Sequence, residues 1–287
     1  MGTVRLIGLP TDCNSSFLRG AAGAPPLIRA QLFSAHGNLA AEAGPEIGND
    51  IVLNDFGDLA LAESDGDDAM ITAAVTEALV AGEAPLLLGG DHAVTFPIVQ
   101  AIAARYGPVD ILHFDAHPDL YDDFGGNPRS HASPFARIME AGLARRLVQV
   151  GIRTLNPHCR EQMARFGVEI VPMRGFRPEM VPRLAGPVYV SIDLDGLDPA
   201  FAPGVSHHEP GGLSVREILD VLAAVDARVV GADIVEYNPL RDINAMTAVV
   251  AAKFVKELAA ILARSMPPAR AGRKQQRRGP RMPRPCA

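Results

Sequence analysis

Short apolar runs alternate with helical patterns from one end of the chain to the other. This rhythm predicts an α/β fold of three layers, α/β/α, with a central, mainly parallel sheet of about eight strands covered on both faces. Several runs are almost continuously apolar before ending on a charged residue, as in PLLLGGD, DILHFD, VYVSID and VVGADIVE. Strands buried on both faces have that pattern, whereas half-buried strands alternate. The length of 287 residues, with 48% apolar and 21% charged, suffices for one sizeable core and excludes wholesale disorder.

In chain order the strands are expected at 4–9 (VRLIGL), 51–55 (IVLND), 85–89 (PLLLG), 109–115 (VDILHFD), 147–152 (LVQVGI), 168–171 (VEIV), 188–193 (VYVSID) and 229–235 (VVGADIV). Helical patterns occupy 67–80, 94–104, 134–140, 214–222 and 245–263, and Ser214 with Glu217 three residues on forms a capping box at the start of the fourth. With no internal repeat and no Ser/Gly linker, residues 1–263 read as one domain. Residues 264–287 read as a basic, Pro-containing, disordered tail.

The charge supports that division. Of 27 basic residues, eight lie from Arg264 onward with no acidic residue among them, which leaves 19 basic against 33 acidic and a net of −14 for residues 1–263. An acidic body argues against nucleic acid as the partner and favours a cationic one. The three cysteines form no CxxC pair, so neither a disulfide framework nor a cysteine zinc site is expected, and a cytoplasmic setting fits. No uncharged apolar run approaches the roughly 18 residues that span a bilayer. The start, MGTVRLIGLP, reads as a strand rather than a signal peptide.

In open parallel sheets ligands bind beyond the carboxyl ends of the strands, so polar residues there come first. Four strand ends carry them: Gly89-Gly90-Asp91-His92; Asp115-Ala116-His117-Pro118-Asp119; Asp193-Leu194-Asp195-Gly196-Leu197-Asp198; and Asp233-Ile234-Val235-Glu236. The alternation in Asp115, His117, Asp119 and in Asp193, Asp195 would place each set on one face of an extended segment. Asp198 is placed to cap the segment after it. Carboxylates converging in this way repel one another unless a cation compensates. His92, Asp115, His117, Asp119, Asp193 and Asp195 are too many ligands for one tetrahedral zinc, but they suit two oxygen-preferring ions such as Mn²⁺. The chemistry expected of such a set is that of a metal-dependent hydrolase. Glu236 has no alternating partner, and no Lys lies in the four clusters, so a cationic substrate is favoured over a phosphate.

GGDH, DAHPD, SIDLDGLDP and DIVEYNP, in that order, make the chain resemble the arginase/agmatinase superfamily of ureohydrolases. NSSFLRG at 14–20, SHASPFARIME at 130–140 and DPAFAPGVSHHEPGGLS at 198–214 are similar to the plant-type arginases. The resemblance implies a binuclear manganese centre. One ion is held by His92, Asp115, Asp119 and Asp193, and the other by His117, Asp115, Asp193 and Asp195, with a bridging hydroxide that attacks the guanidinium carbon. It further implies that Asp119 stabilises the tetrahedral intermediate and passes a proton to the leaving amine, that His131 shuttles protons, and that Glu236 pairs with the guanidinium. Local sequence alone makes His131 a solvated loop residue, His113 a core histidine, and His36 and His158 surface residues. His207 and His208 are expected at the entrance or an interface.

Substrate contacts are expected from Asn127, Arg129, Ser130, Asn156 and His207, with Arg129 able to meet a carboxylate bidentately. The implied reaction converts L-arginine to L-ornithine and urea. Agmatine and guanidino acids such as guanidinobutyrate are the alternative substrates, and a two-metal phosphoesterase or a catalytically inactive binding relative the more distant readings. A homo-oligomer, trimer or hexamer, is implied as well.

Overall fold

The computed structural model describes residues 2–64 and 66–266. Its centre is an eight-stranded sheet in which every pairing is parallel. The strands are β1 (Thr3–Gly8), β2 (Val52–Asp58), β3 (Ala84–Leu88), β4 (Val109–Phe114), β5 (Ala144–Ile152), β6 (Glu169–Pro172), β7 (Val188–Asp193) and β8 (Val229–Val235), in the spatial order β2-β1-β3-β8-β7-β4-β5-β6. All eight expected strands are present, with ends that differ by up to three residues.

The helices are α1 (Ala24–Leu32), α2 (Asp67–Val80), α3 (Thr95–Tyr106), α4 (Pro134–Glu140), α5 (Pro157–Phe166), α6 (Val215–Ala223) and α7 (Met246–Ser265). Alternate strand residues feed two cores. Leu86, Leu88, Val190, Ile192 and Ile234 pack with α1, α6 and α7. On the other face Leu87, Ile111, Tyr189 and Val230 pack with α2, α3 and α4. Burial on both faces removes the polar half of each central strand, which is why the runs in the sequence are unbroken.

The capping box forms as expected, with Ser214 Oγ accepting from the Glu217 amide (3.2 Å) and Glu217 Oε2 accepting from the Ser214 amide (2.7 Å). The helix expected to end at Ala263 runs on through Ser265, where the Arg264 guanidinium reaches back to the Val225 carbonyl (2.6 Å). From residue 267 the basic tail lies outside the described residues.

Candidate active site

β3, β8, β7 and β4 are consecutive neighbours in the sheet, so their carboxyl ends form one continuous rim. The four acidic clusters therefore meet although they lie up to 145 positions apart along the chain. Two glycines permit the close approach. A Cβ on Gly90 would fall 1.8 Å from the Thr11 carbonyl oxygen, and one on Gly196 would fall 2.8 Å from the Asp115 amide nitrogen.

His92 follows β3 in a short turn capped by Asp91, which accepts from the Ala93 amide (3.1 Å) and the Asn14 amide (2.9 Å). Its Nε2 meets Ser191 Oγ at 3.0 Å, which orients the ring. Nδ1 then faces Asp119 Oδ2 at 3.0 Å, Asp193 Oδ2 at 3.1 Å and Asp115 Oδ2 at 3.5 Å. A second group converges beside it, with His117 Nδ1 3.3 Å from Asp115 Oδ1 and 3.2 Å from Asp195 Oδ2. His113 is a core histidine as expected. Its Nδ1 meets Gln149 Nε2 (3.0 Å) and its Nε2 lies 2.9 Å from Asp115 Oδ2.

The route to this convergence differs from the expected one. β4 ends at Phe114, so Asp115, His117 and Asp119 do not share a strand face; a loop gathers them, and Asp119 adopts a left-handed backbone with φ 48°. Likewise Asp195 follows β7 in a turn whose amide is accepted by Asp193 Oδ1 (2.8 Å). In the fourth cluster Asp233 Oδ2 is taken by Thr95 Oγ1 and Tyr189 Oη, each at 2.6 Å, and only Glu236 belongs to the site. Glu236 also has a positive φ, 65°. Non-glycine residues held in this region cluster at functional sites.

These donors fit divalent cations. His92 Nδ1 and Asp115 Oδ2 are buried without any hydrogen-bond partner. Ligand atoms of His92, Asp115, Asp119 and Asp193 all lie within 4.8 Å of one another, as do those of Asp115, His117 and Asp195. Burial, then the neighbouring carboxylates Asp195 and Asp115, push Asp193 well above the carboxylate range. Burial above all pushes Asp195 up to about 7. Burial acts in the same direction on Asp115, but His113, His117 and His92 outweigh it and hold that carboxyl well below its ordinary value. Buried polar atoms without partners are costly, and a divalent cation coordinated by these atoms would offset that cost.

A cavity of about 450 Å³ opens over both groups, lined by His117, Asp119, His131, Asn156, His207 and Glu236, among others. His131 is 8% exposed rather than solvated, and its burial comes from partners that the loop sequence does not reveal. Its Nδ1 meets Glu236 Oε1 (2.8 Å) and its Nε2 meets Ser16 Oγ (2.8 Å). Burial works to lower its pKa, yet the Glu236 charge and hydrogen bond outweigh it, so that His131 rises to about 9. The His207 ring lies between those of His131 (5.3 Å) and Phe17 (5.5 Å).

Three expected contacts do not line the cavity. Arg129 is paired with Asp68 and stacked on Phe96, facing a different recess. Asn127 joins two loops, donating to Asn14 Oδ1 (3.1 Å) and accepting from the Arg129 amide (2.8 Å), and Ser130 is buried beside it. Asn156 does line the cavity, but its Oδ1 caps α5 by accepting from the Cys159 amide (2.8 Å), and its Nδ2 donates to Tyr121 Oη. Ser16, Tyr121, Phe124 and Glu209 line the cavity without having been singled out in the sequence. Asp198 caps its loop as expected, accepting from the Ala200 amide (2.9 Å) and the Gly211 amide (2.7 Å).

Residues 2–260 match the family described as Arginase family. The chain is 53% identical over 272 residues to the Arabidopsis thaliana protein named Arginase 1, mitochondrial, covering 89% of this chain and 80% of that one. It is 34% identical to the Gallus gallus protein named Agmatinase, mitochondrial, covering 89% and 80% respectively. The solved arginase from Medicago truncatula superposes with a TM-score of 0.87 at 47% identity, covering 91% of this chain and 87% of that one. From these matches, together with the fold and the buried ligand set beneath its cavity, the chain belongs to the arginase family.

Proposed function

We propose that the protein hydrolyses the guanidinium group of L-arginine to L-ornithine and urea. The observation that carries this reading is the pairing of the buried His/Asp groups with the Glu236 carboxylate across one cavity. Two Mn²⁺ ions per chain are part of the proposal, since imidazole and carboxylate donors suit that ion. His92, Asp115, Asp119 and Asp193 would hold one, and His117, Asp115, Asp193 and Asp195 the other. Bound there, the ions supply the Lewis acidity that makes water a competent nucleophile at neutral pH.

The chain's own residues supply the rest. Glu236 is fixed by the His92 amide (2.9 Å) and by His131, both at Oε1, leaving Oε2 to accept from the guanidinium. Asp119, at the cavity floor, accepts a proton from the attacking water and delivers it to the leaving amine. His131 carries a proton at neutral pH and exchanges it with solvent past Ser16 and His207. The −14 charge of residues 1–263 draws a cationic substrate toward the cleft.

One observation favours agmatine as the second reading. No Lys or Arg among the described residues lines the cavity, so no Lys or Arg side chain is there to pair with a substrate carboxylate. Urea release from arginine, agmatine and 4-guanidinobutyrate at fixed Mn²⁺ tests the choice. Arginine is expected to give the highest kcat/KM, and arginine in last place overturns the assignment.

The proposal extends to assembly, compartment and domain limits. Leu240, Ile243, Met246 and Val249 are exposed at three-residue intervals, an apolar row that supports a homo-oligomer, trimer or hexamer. Cys13 and Cys159 are free thiols, which suits a reducing cytoplasm. No helix among the described residues is long and apolar enough to cross a membrane. The catalytic unit ends with α7, so deleting residues 267–287 is expected to leave urea production intact; a large loss in that truncation places part of the catalytic unit beyond α7.

A further inference from the structure

Resting on the amidinohydrolase reading above, we infer that Glu209 selects substrates by the ammonium group they carry at the end remote from the guanidinium. The loop that holds it is latched on both sides. Asp198 Oδ2 accepts from the Gly211 (2.7 Å) and Gly212 (3.1 Å) amides, and Ser206 Oγ donates to the Leu18 carbonyl (2.8 Å). Glu209 itself is anchored through its main chain, its carbonyl accepting from Arg153 Nε (3.0 Å) and a terminal guanidinium nitrogen (2.6 Å).

That anchor frees the side chain. Arg153 directs its remaining bonds to the Gly151, Asp195, Gly196 and Leu197 carbonyls, so it interacts with the Glu209 carboxylate through space but donates no hydrogen bond to it. Half-buried Glu209 lines both the catalytic cavity and an outer pocket of about 550 Å³ that adjoins it through His207. The cavity residues Thr154, Leu155, Asn156, Tyr121 and Phe124 are neutral. Away from the metal ligands and the Glu236–His131 pair, Glu209 is therefore the fixed charge in the cavity wall.

A positioned, unpaired carboxylate favours an ammonium and opposes a carboxylate, and both effects grow as the pocket is dehydrated by its occupant. L-Arginine and agmatine each carry a remote ammonium. 4-Guanidinobutyrate carries only a carboxylate there, and a like charge at Glu209 works against it. Arg241, which lines the outer pocket, leaves arginine's carboxylate a cationic side to turn toward.

The test compares wild type, Glu209→Gln and Glu209→Lys in the Mn²⁺-loaded full chain on all three substrates. Gln keeps the main-chain anchor and removes the charge. The expected result for Glu209→Gln is a rise of about tenfold or more in KM for arginine and agmatine, with a higher kcat/KM for 4-guanidinobutyrate. Glu209→Lys is expected to invert the preference toward the guanidino acid. Where turnover of 4-guanidinobutyrate is too slow to follow, its Ki against arginine supplies the same ratio. Variants with wild-type melting temperature and metal content whose arginine-to-guanidinobutyrate ratio stays within twofold of wild type overturn the inference. A loss shared equally by all three substrates is loosening of the loop and overturns it too. If wild type releases urea from none of the three, the amidinohydrolase reading itself fails.

Discussion

Replacing Asp119 by Asn is expected to lower kcat for urea release by about a thousandfold, the scale of a lost general acid–base group, with KM changed far less. The substitution isolates the chemistry unusually well. Asp119 sits at φ 48°, a conformation that Asn accepts more readily than other non-glycine residues, so the loop need not rearrange. The amide keeps the size of the carboxylate but can neither take a proton from water nor hand one on. Because Asp119 Oδ2 also faces His92 Nδ1 at 3.0 Å, the metal content of the variant should be measured alongside, so that a lost ligand is separated from lost proton transfer. Wild-type turnover in a fully loaded variant removes Asp119 from the mechanism.

Stripping divalent ions with a chelator is expected to abolish urea production and to lower the melting temperature, with both restored by Mn²⁺. The loss of stability should widen as pH rises from about 4 to about 9, because a depleted site holds its carboxylates together only while they keep protons. Asp195 is pushed up to about 7 and Asp193 well above its ordinary value, in both cases foremost by burial. Their pKa values are thus higher folded than unfolded. The folded state binds more protons in that interval, and stability falls as pH increases. His131, raised to about 9, has the same sign: its contribution is complete below 6.5 and is lost as pH rises through 9. Asp115 is depressed, so its contribution is lost only in acid, outside the window. Ions bound there would replace the protons of Asp193 and Asp195 and flatten that part of the profile. Melting curves with the same pH slope before and after depletion contradict this account.

The sheet was legible because two-sided burial writes itself into composition, giving the central strands largely apolar runs that end where solvent begins. Helices that bury little left no such trace. α5 buries only Cys159 and Gln162 among its ten residues, although Asn156 before it, Pro157 at its first position and Gly167 after it are the signals of a helix start and stop. α1 was obscured by Pro25 and Pro26, which stand in its first turn. At the site, the six candidate ligands could be singled out because repeated acidic strand ends in a buried sheet have few other uses. Arg129 was misjudged for the opposite reason: its partner Asp68 lies 61 residues away, and nothing near Arg129 announces it.

The sequence by itself determined which strand ends carry carboxylates and imidazoles, and with them the expectation of a cation among these groups and of a cationic partner for Glu236. It did so because these are consequences of residue type and local burial. Tertiary structure decided the rest. The order β3-β8-β7-β4 puts distant segments on one rim, and a left-handed Asp119 turns its carboxylate inward where strand alternation would not. Arg129 is captured by Asp68, and Arg153 spends its donors on carbonyls so that Glu209 is left free. Whether a charged side chain is available to a substrate depends on which partners the fold brings to it, and those partners are set by long-range packing.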